Sequence, residues 1–160
     1  MRSLVMTVLL GALTIPAWAQ DPGDAPEHGV ARISAMSGDV TVRRGDSGED
    51  VAAEINAPLV ALDHVYTNGG SRAEIQFDAA NFLRLAPDSE VRLAELADRD
   101  FLVQLSAGTL TFRVLRDNDS QAEISTPNIS IRPREEGTYR ITVHDNESTE
   151  VTVRSGEAEI

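Results

Sequence analysis

From Ala31 to Ile160 the chain alternates apolar and polar residues with a period of two. Ala31, Ile33 and Ala35 stand in "ARISAM", Val40 and Val42 in "DVTVRR", and Ala73, Ile75 and Phe77 in "RAEIQF". Leu83 and Leu85 follow in "NFLRL", Val91 and Leu93 in "EVRLAEL", and Phe101, Val103 and Leu105 in "FLVQLS". "GTLTFRVL" carries Leu110, Phe112 and Val114, and "GTYRITV" carries Tyr139, Ile141 and Val143. Successive side chains of a strand point to opposite faces, so this period predicts strands with one buried face. Turn-forming clusters punctuate the runs: "GDSGED" (45–50), "NGGS" (68–71), "APDS" (86–89), "DNDS" (117–120) and "HDNES" (144–148). The pattern predicts about a dozen strands of roughly 4–7 residues, an all-β domain that is twisted and either β-solenoid-like or sandwich-like.

Two stretches compete with this reading. Leu59, Leu62 and Val65 in "APLVALDHVYT" have a helix-like spacing, but Val65 and Thr67 alternate into the "NGGS" turn, which favours strands. "SEVRLAELADRD" (89–100) tolerates a helix, and its alternating neighbours favour a strand.

Four runs begin in the same way: "SGDVTV", "AGTLTF", "EGTYRITV" and "SGEAEI". Each sets a glycine (Gly38, Gly108, Gly137, Gly156) ahead of apolar residues two and four positions on. Glycine takes positive φ without steric cost, so these four are expected to be structural turn glycines that let the chain bend between strands. A phosphate cradle requires glycines opening a helix with a lysine at the phosphate, and this chain has no lysine.

The first twenty residues break the pattern. "MRSLVMTVLLGALTIPAWAQ" has a basic Arg2, an apolar run from Leu4 to Ile15, and Ala17-Trp18-Ala19 before a cut. That is the layout of a secretory signal peptide, and the run is shorter than the about 18 apolar residues of a membrane span. The expected division is a signal peptide at 1–19, a flexible Pro- and Gly-rich leader at 20–30, and a β-domain at 31–160. No cysteine follows the cut, which excludes a lipid-anchored lipoprotein, and no later run is apolar enough for a transmembrane helix. With such a signal peptide the mature chain is expected in the periplasm, with the extracellular space as the alternative. Alternation still runs at Ile160, which leaves a longer natural chain open.

With no cysteine, apolar burial and backbone ladders alone hold the fold. Net charge is −12, and all fourteen basic side chains are arginines. Such a chain repels phosphate backbones, which argues against nucleic acid, and lacks the polybasic patch that anchors proteins to anionic membranes.

Catalytic constellations are missing. There is no Cys nucleophile and no G-x-S-x-G. Asp63-His64 and His144-Asp145 are the His/Asp neighbours, but adjacent strand residues face opposite ways, so neither is a ready dyad. His28, His64 and His144 lack zinc-ligand spacing. Asp117-Asn118-Asp119-Ser120 opens like a calcium loop, but Ala122 and Asn128 stand where Gly and Glu are required. No catalytic, cofactor or metal site is therefore assigned, and a non-enzymatic protein is expected.

The ordered motifs resemble the FecR domain. They are Gly38; Asp63 and Thr67; Ser71 and Ala73; Pro87 and Ser89; Gly108 and Phe112; Thr126-Pro127; Gly137-Thr138-Tyr139; and Gly156. The resemblance covers about residues 31–160. It departs at Leu62, where the family has glycine, and at "RPREE", a longer connection than usual. The resemblance implies a twisted all-β domain in the periplasm. In the family's regulators this domain senses an outer-membrane siderophore transducer and signals to a cytoplasmic anti-sigma segment, whereas this chain resembles the sensor half only. The expected function is an exported protein-interaction or sensing module of the cell envelope with a protein partner there. A structural or carbohydrate-binding envelope module is the alternative.

Overall fold

The computed structural model describes residues 29–97, 99–117, 119–146 and 148–160; the stretch expected to be a signal peptide and most of the expected leader lie outside the described residues. Fourteen strands form and, among the described residues, no helix. In chain order they are β1 (Ala31–Ser37), β2 (Val40–Arg43), β3 (Asp50–Ala52), β4 (Pro58–Leu59), β5 (His64–Thr67), β6 (Arg72–Gln76) and β7 (Asn81–Leu85). They continue as β8 (Ser89–Leu96), β9 (Asp100–Val114), β10 (Gln121–Ser125), β11 (Ser130–Pro133), β12 (Gly137–Val143), β13 (Thr149–Ser155) and β14 (Ala158–Glu159). The all-β expectation holds, and both ambiguous stretches are extended: 57–67 holds β4, a turn and β5, and 89–100 holds β8.

Two ladders share one strand. Sheet I runs β4-β1-β6-β7-β9-β12-β13, and sheet II runs β3-β2-β5-β8-β9-β10-β11, with β14 on β11. β9 belongs to both. Its first half pairs with β8 and, in parallel, with β10; its second half pairs with β7 and β12. "FLVQLS" and "GTLTFRVL" are thus one fifteen-residue strand and not the two short ones their patterns predict. The reason is visible in its phase. Phe101, Val103 and Leu105 point inward before the bend, and Leu110 and Phe112 after it, so the period slips by one residue around Gly108.

The inward faces of both sheets merge into one apolar core. Ile33, Ile75, Leu83, Phe112 and Ile141 come from sheet I, and Val65, Val91, Leu93, Val103 and Ile124 from sheet II. Phe77, just past β6, stacks on Phe101 at 4.8 Å and lies 6.1 Å from Phe112, so one ring touches both halves of β9. Aromatic pairs at such separations add to the gain from apolar burial.

The chain passes repeatedly from one sheet to the other, and positive φ marks most of these passages. Gly38 lies between β1 and β2, Asn56 between β3 and β4, Leu62 between β4 and β5, Gly70 between β5 and β6, and Asp88 between β7 and β8. Gly108 lies at the bend of β9, and Gly156 between β13 and β14. β1 and β2 therefore do not form the hairpin that their short spacing invites; they lie in different sheets.

At Gly108 (φ 81°) a side chain would drive into the Asp88 carbonyl and the Ser89 side chain. The Ser89 hydroxyl, nearly sealed from solvent, accepts the Thr109 N–H at 2.9 Å and lies 3.0 Å from the Thr109 carbonyl. The first passage repeats this device: a side chain on Gly38 (φ 77°) would meet the Ser71 hydroxyl at 2.5 Å, and that hydroxyl accepts the Asp39 N–H at 2.8 Å. Gly137 corrects the expectation of a left-handed turn. It has no positive φ and opens β12, but it presses on the Ser155 carbonyl, so close approach excludes a side chain there.

Leu62 keeps the left-handed conformation (φ 73°) despite its side chain, so the turn closes as a glycine would close it, with the Asp63 N–H donating to the Val60 carbonyl at 3.2 Å. Left-handed backbone costs a non-glycine residue about 1–2 kcal/mol. Leu62 is 43 % exposed and recovers little of this by burial.

Two predictions follow from these backbone positions. Gly108→Ala should destabilise the fold by about 3 kcal/mol, through positive φ and the clash with Asp88; urea unfolding with an unchanged midpoint would refute it. Leu62→Gly should raise stability by up to about 1 kcal/mol, the backbone relief exceeding glycine's extra unfolded-state entropy, read as a higher melting temperature.

Candidate interaction surface

The residues singled out for chemistry lie apart. Asp63 and His64 face opposite ways. The Asp63 carboxylate is buried and accepts the Arg44 Nη1 at 2.9 Å, the Gly45 N–H at 2.9 Å and the Val60 N–H at 3.0 Å. Arg44 also donates to the Pro58 carbonyl at 3.0 Å. Asp63 thus ties the loop after β2 to the turn before β5, a structural task that local pattern reading does not disclose. His64 lies on the outer face of sheet II, stacked on Tyr66 with ring centroids 6.0 Å apart and with Nδ1 3.7 Å from Glu90.

His144 is exposed in the β12–β13 turn, 3.3 Å from Glu150. Asp117 and Asp119 are exposed, Ser120 donates to Asp78 at 3.2 Å, and Asn118 and His28 lie outside the described residues. Among the described residues, no three His, Cys, Asp or Glu side chains are grouped to hold a metal ion.

What the fold presents is two outer sheet faces of different electrostatic character. On sheet II, opposite charges pair within the face. Arg43 binds Asp50 at 2.8 and 3.0 Å and sits 5.3 Å from the centre of the Tyr66 ring. Arg132 binds Glu123 at 2.9 Å, and Arg134 binds Glu159. The hydrogen bond from Arg43 holds Asp50 below the usual carboxylate range, and those from Ser130 and then Arg132 do the same for Glu123. Burial, then the neighbouring Glu90 charge, pushes the Tyr66 phenol up. A cleft of ≈ 420 Å³ opens beside this face, lined among others by Glu95, Asp100, Asp119, Glu123, Arg132 and Arg134.

On sheet I, the outer positions form rows across the strands. One row is Arg32–Gln76–Phe82–Arg113–Thr138, and the next is Ala35–Glu74–Arg84–Thr111–Arg140–Thr152. Arginines outnumber acids here, in a chain whose net charge is −12. Glu74 is the carboxylate within these rows, bound by Arg84 at 2.6 Å and Ser34 at 2.8 Å. Burial pushes its carboxyl up, but these hydrogen bonds outweigh burial and the net shift is downward.

Comparison with known proteins fits this architecture. The model of the family described as "FecR protein" matches residues 63–159, more than half of the chain. The chain belongs to the FecR family. A crystal structure from Parabacteroides distasonis ATCC 8503, described as that of a "putative anti-sigma factor", aligns with a TM-score of 0.50 at 18% identity. That alignment covers 59% of this chain and 45% of the other, and it shows a shared fold. No curated protein matches. The FecR match begins at Asp63, the carboxylate that closes the β4–β5 turn, and spans Ser71, Ser89 and Tyr139, the hydroxyl-bearing residues against which Gly38, Gly108 and Gly156 rest.

Asp63→Asn should cost about 3 kcal/mol or more, because its amide turns a hydrogen-bond donor toward Arg44, Gly45 or Val60; equal urea midpoints would refute this. Asp78 supplies a pH test. Burial pushes its carboxyl up, but hydrogen bonds from Asn81 and Ala80 outweigh this and hold it low. A depressed folded-state value adds stability that is fully present above the unfolded value, about 3.9, and is lost as pH falls through the folded value. Acid unfolding of Asp78→Asn should therefore show a shallower fall in stability below about pH 4 than the parent chain.

Proposed function

We propose that this FecR-family chain is an exported, non-enzymatic protein-interaction or sensing module of the cell envelope. The family match over residues 63–159 carries the reading. The first nineteen residues support export, with Arg2, the apolar run and Ala17-Trp18-Ala19 in signal-peptide order. The shared fold with a protein described as a "putative anti-sigma factor" supports a regulatory setting. The outer faces carry arginine beside an aromatic ring, Arg43 with Tyr66 and Arg113 with Phe82, a composition enriched at protein interfaces.

Expression of the full chain in a Gram-negative host tests export and partnership together. The mature protein should appear in the periplasmic fraction with Gln20 as its first residue by mass spectrometry, and chemical cross-linking should trap a discrete, saturable envelope partner. An unprocessed chain confined to the cytoplasm overturns export. Cross-links to background proteins alone overturn the interaction reading, and retention on sedimented peptidoglycan replaces it with carbohydrate binding.

A further inference from the structure

The arginines on the outer face of sheet I are more than the fold uses. Arg84 is neutralised by Glu74, and Arg32 is held by Gln76 at 2.6 and 3.0 Å and by Asn56. The side chains of Arg113 and Arg140 have no hydrogen bond or ion pair among the described residues; Arg113 only adds to the field at Glu74. Arg84 and Arg140 share a row on either side of Thr111, two strand spacings or about 10 Å apart. Arg113 stands one pleat repeat along, about 7 Å, beside the half-buried Phe82. The result is a triangle of arginine positions with the Phe82 ring beside its Arg84–Arg113 edge, on a floor of threonines: Thr109, Thr111, Thr138 and Thr142.

Arg113 and Arg140 thus present positive charge that, among the described residues, no acid within the face neutralises. Guanidinium groups bind carboxylates in forked geometry, and carboxylates on alternate residues of an extended chain are also about 7 Å apart. The source of the anions follows from the rest of the surface. A bilayer or a nucleic acid presents dense negative charge over an area wider than the arginine rows, and so also comes up against the acidic remainder of a chain whose net charge is −12. A single polypeptide strand is narrow enough to lie within the positive rows. We propose that the outer face of sheet I binds an extended acidic segment of a partner protein, with its carboxylates on Arg113 and Arg140 and one apolar side chain on Phe82. This rests on the interaction-module reading above and names the surface and the partner's chemistry.

The test uses a fluorescent peptide of alternating Glu and Ser with a central Leu, its Gln counterpart, and phosphatidylglycerol vesicles. The mature chain should bind the Glu peptide, should bind the Gln peptide at least about tenfold more weakly, and should lose affinity as salt is raised. Arg113→Gln with Arg140→Gln should weaken Glu-peptide binding by about tenfold or more at an unchanged melting temperature, and Arg43→Gln on sheet II should leave it unchanged. Equal binding of both peptides, indifference to the double substitution, or tighter binding to the vesicles than to the Glu peptide overturns the proposal. If the envelope partner cross-linked by the parent chain is still cross-linked by the double variant, the arginine face is overturned and the module reading stands. If the parent chain cross-links no partner, both fall.

Discussion

One strand serving two sheets is the constraint on which the remainder of this structure depends. β9 must lie flat in sheet II, turn, and lie flat again in sheet I, with an inward apolar face on both sides of the turn. The turn costs backbone conformation and exposes an N–H that no regular ladder position supplies with a partner. Gly108 removes the first cost, and the Ser89 hydroxyl takes the Thr109 N–H. Ser89 is in turn fixed by its backbone bond to Thr67, whose hydroxyl reaches the Ala86 carbonyl at 2.6 Å. Three small polar residues from three strands thus hold one bend, and both halves of the core are built on it.

The same solution recurs where other segments change sheets. Gly38 rests on the Ser71 hydroxyl, and Gly156 on the Tyr139 hydroxyl. The Tyr139 oxygen lies 2.7 Å from the Glu135 carbonyl and 3.0 Å from that of Glu157, where it joins the start of β12 to the end of the chain. In each case glycine provides room and a hydroxyl on a neighbouring segment provides the hydrogen bond. This explains why the serines and the tyrosine are buried.

Much of this was legible from the sequence. Period-two alternation identified the inward residues of β6, β7, β9 and β12, because a sheet with one buried face imposes that period directly. The all-β class and the turn regions follow from the same pattern. Less legible was which strands belong together. "FLVQLS" and "GTLTFRVL" differ in phase, and a phase slip has the same signature whether the chain turns back or bends onward. Gly38 was legible as a turn, but not as a passage between sheets, because local spacing is blind to the sheet that receives the next strand. Asp63 was ambiguous for a related reason: its three donors come from Arg44, Gly45 and Val60, and only the folded chain brings the loop after β2 to them. The arginine rows were invisible, since Arg84, Arg113 and Arg140 become neighbours through register alone.

The pairing of β9 also sets the order in which the molecule can be completed. β1 finds β6 across some forty residues, and β9 carries β12 on an edge that stays bare until the chain beyond Gly137 is available. Contacts so distant along the chain must overcome loop-closure entropy before they return any energy, which places folding in the slow, millisecond-to-second regime of β-rich domains. A chain made from its N-terminus therefore spends its synthesis without a completed core. The core closes only when β10, β11 and β12 add Ile124, Ile131, Tyr139 and Ile141 to it.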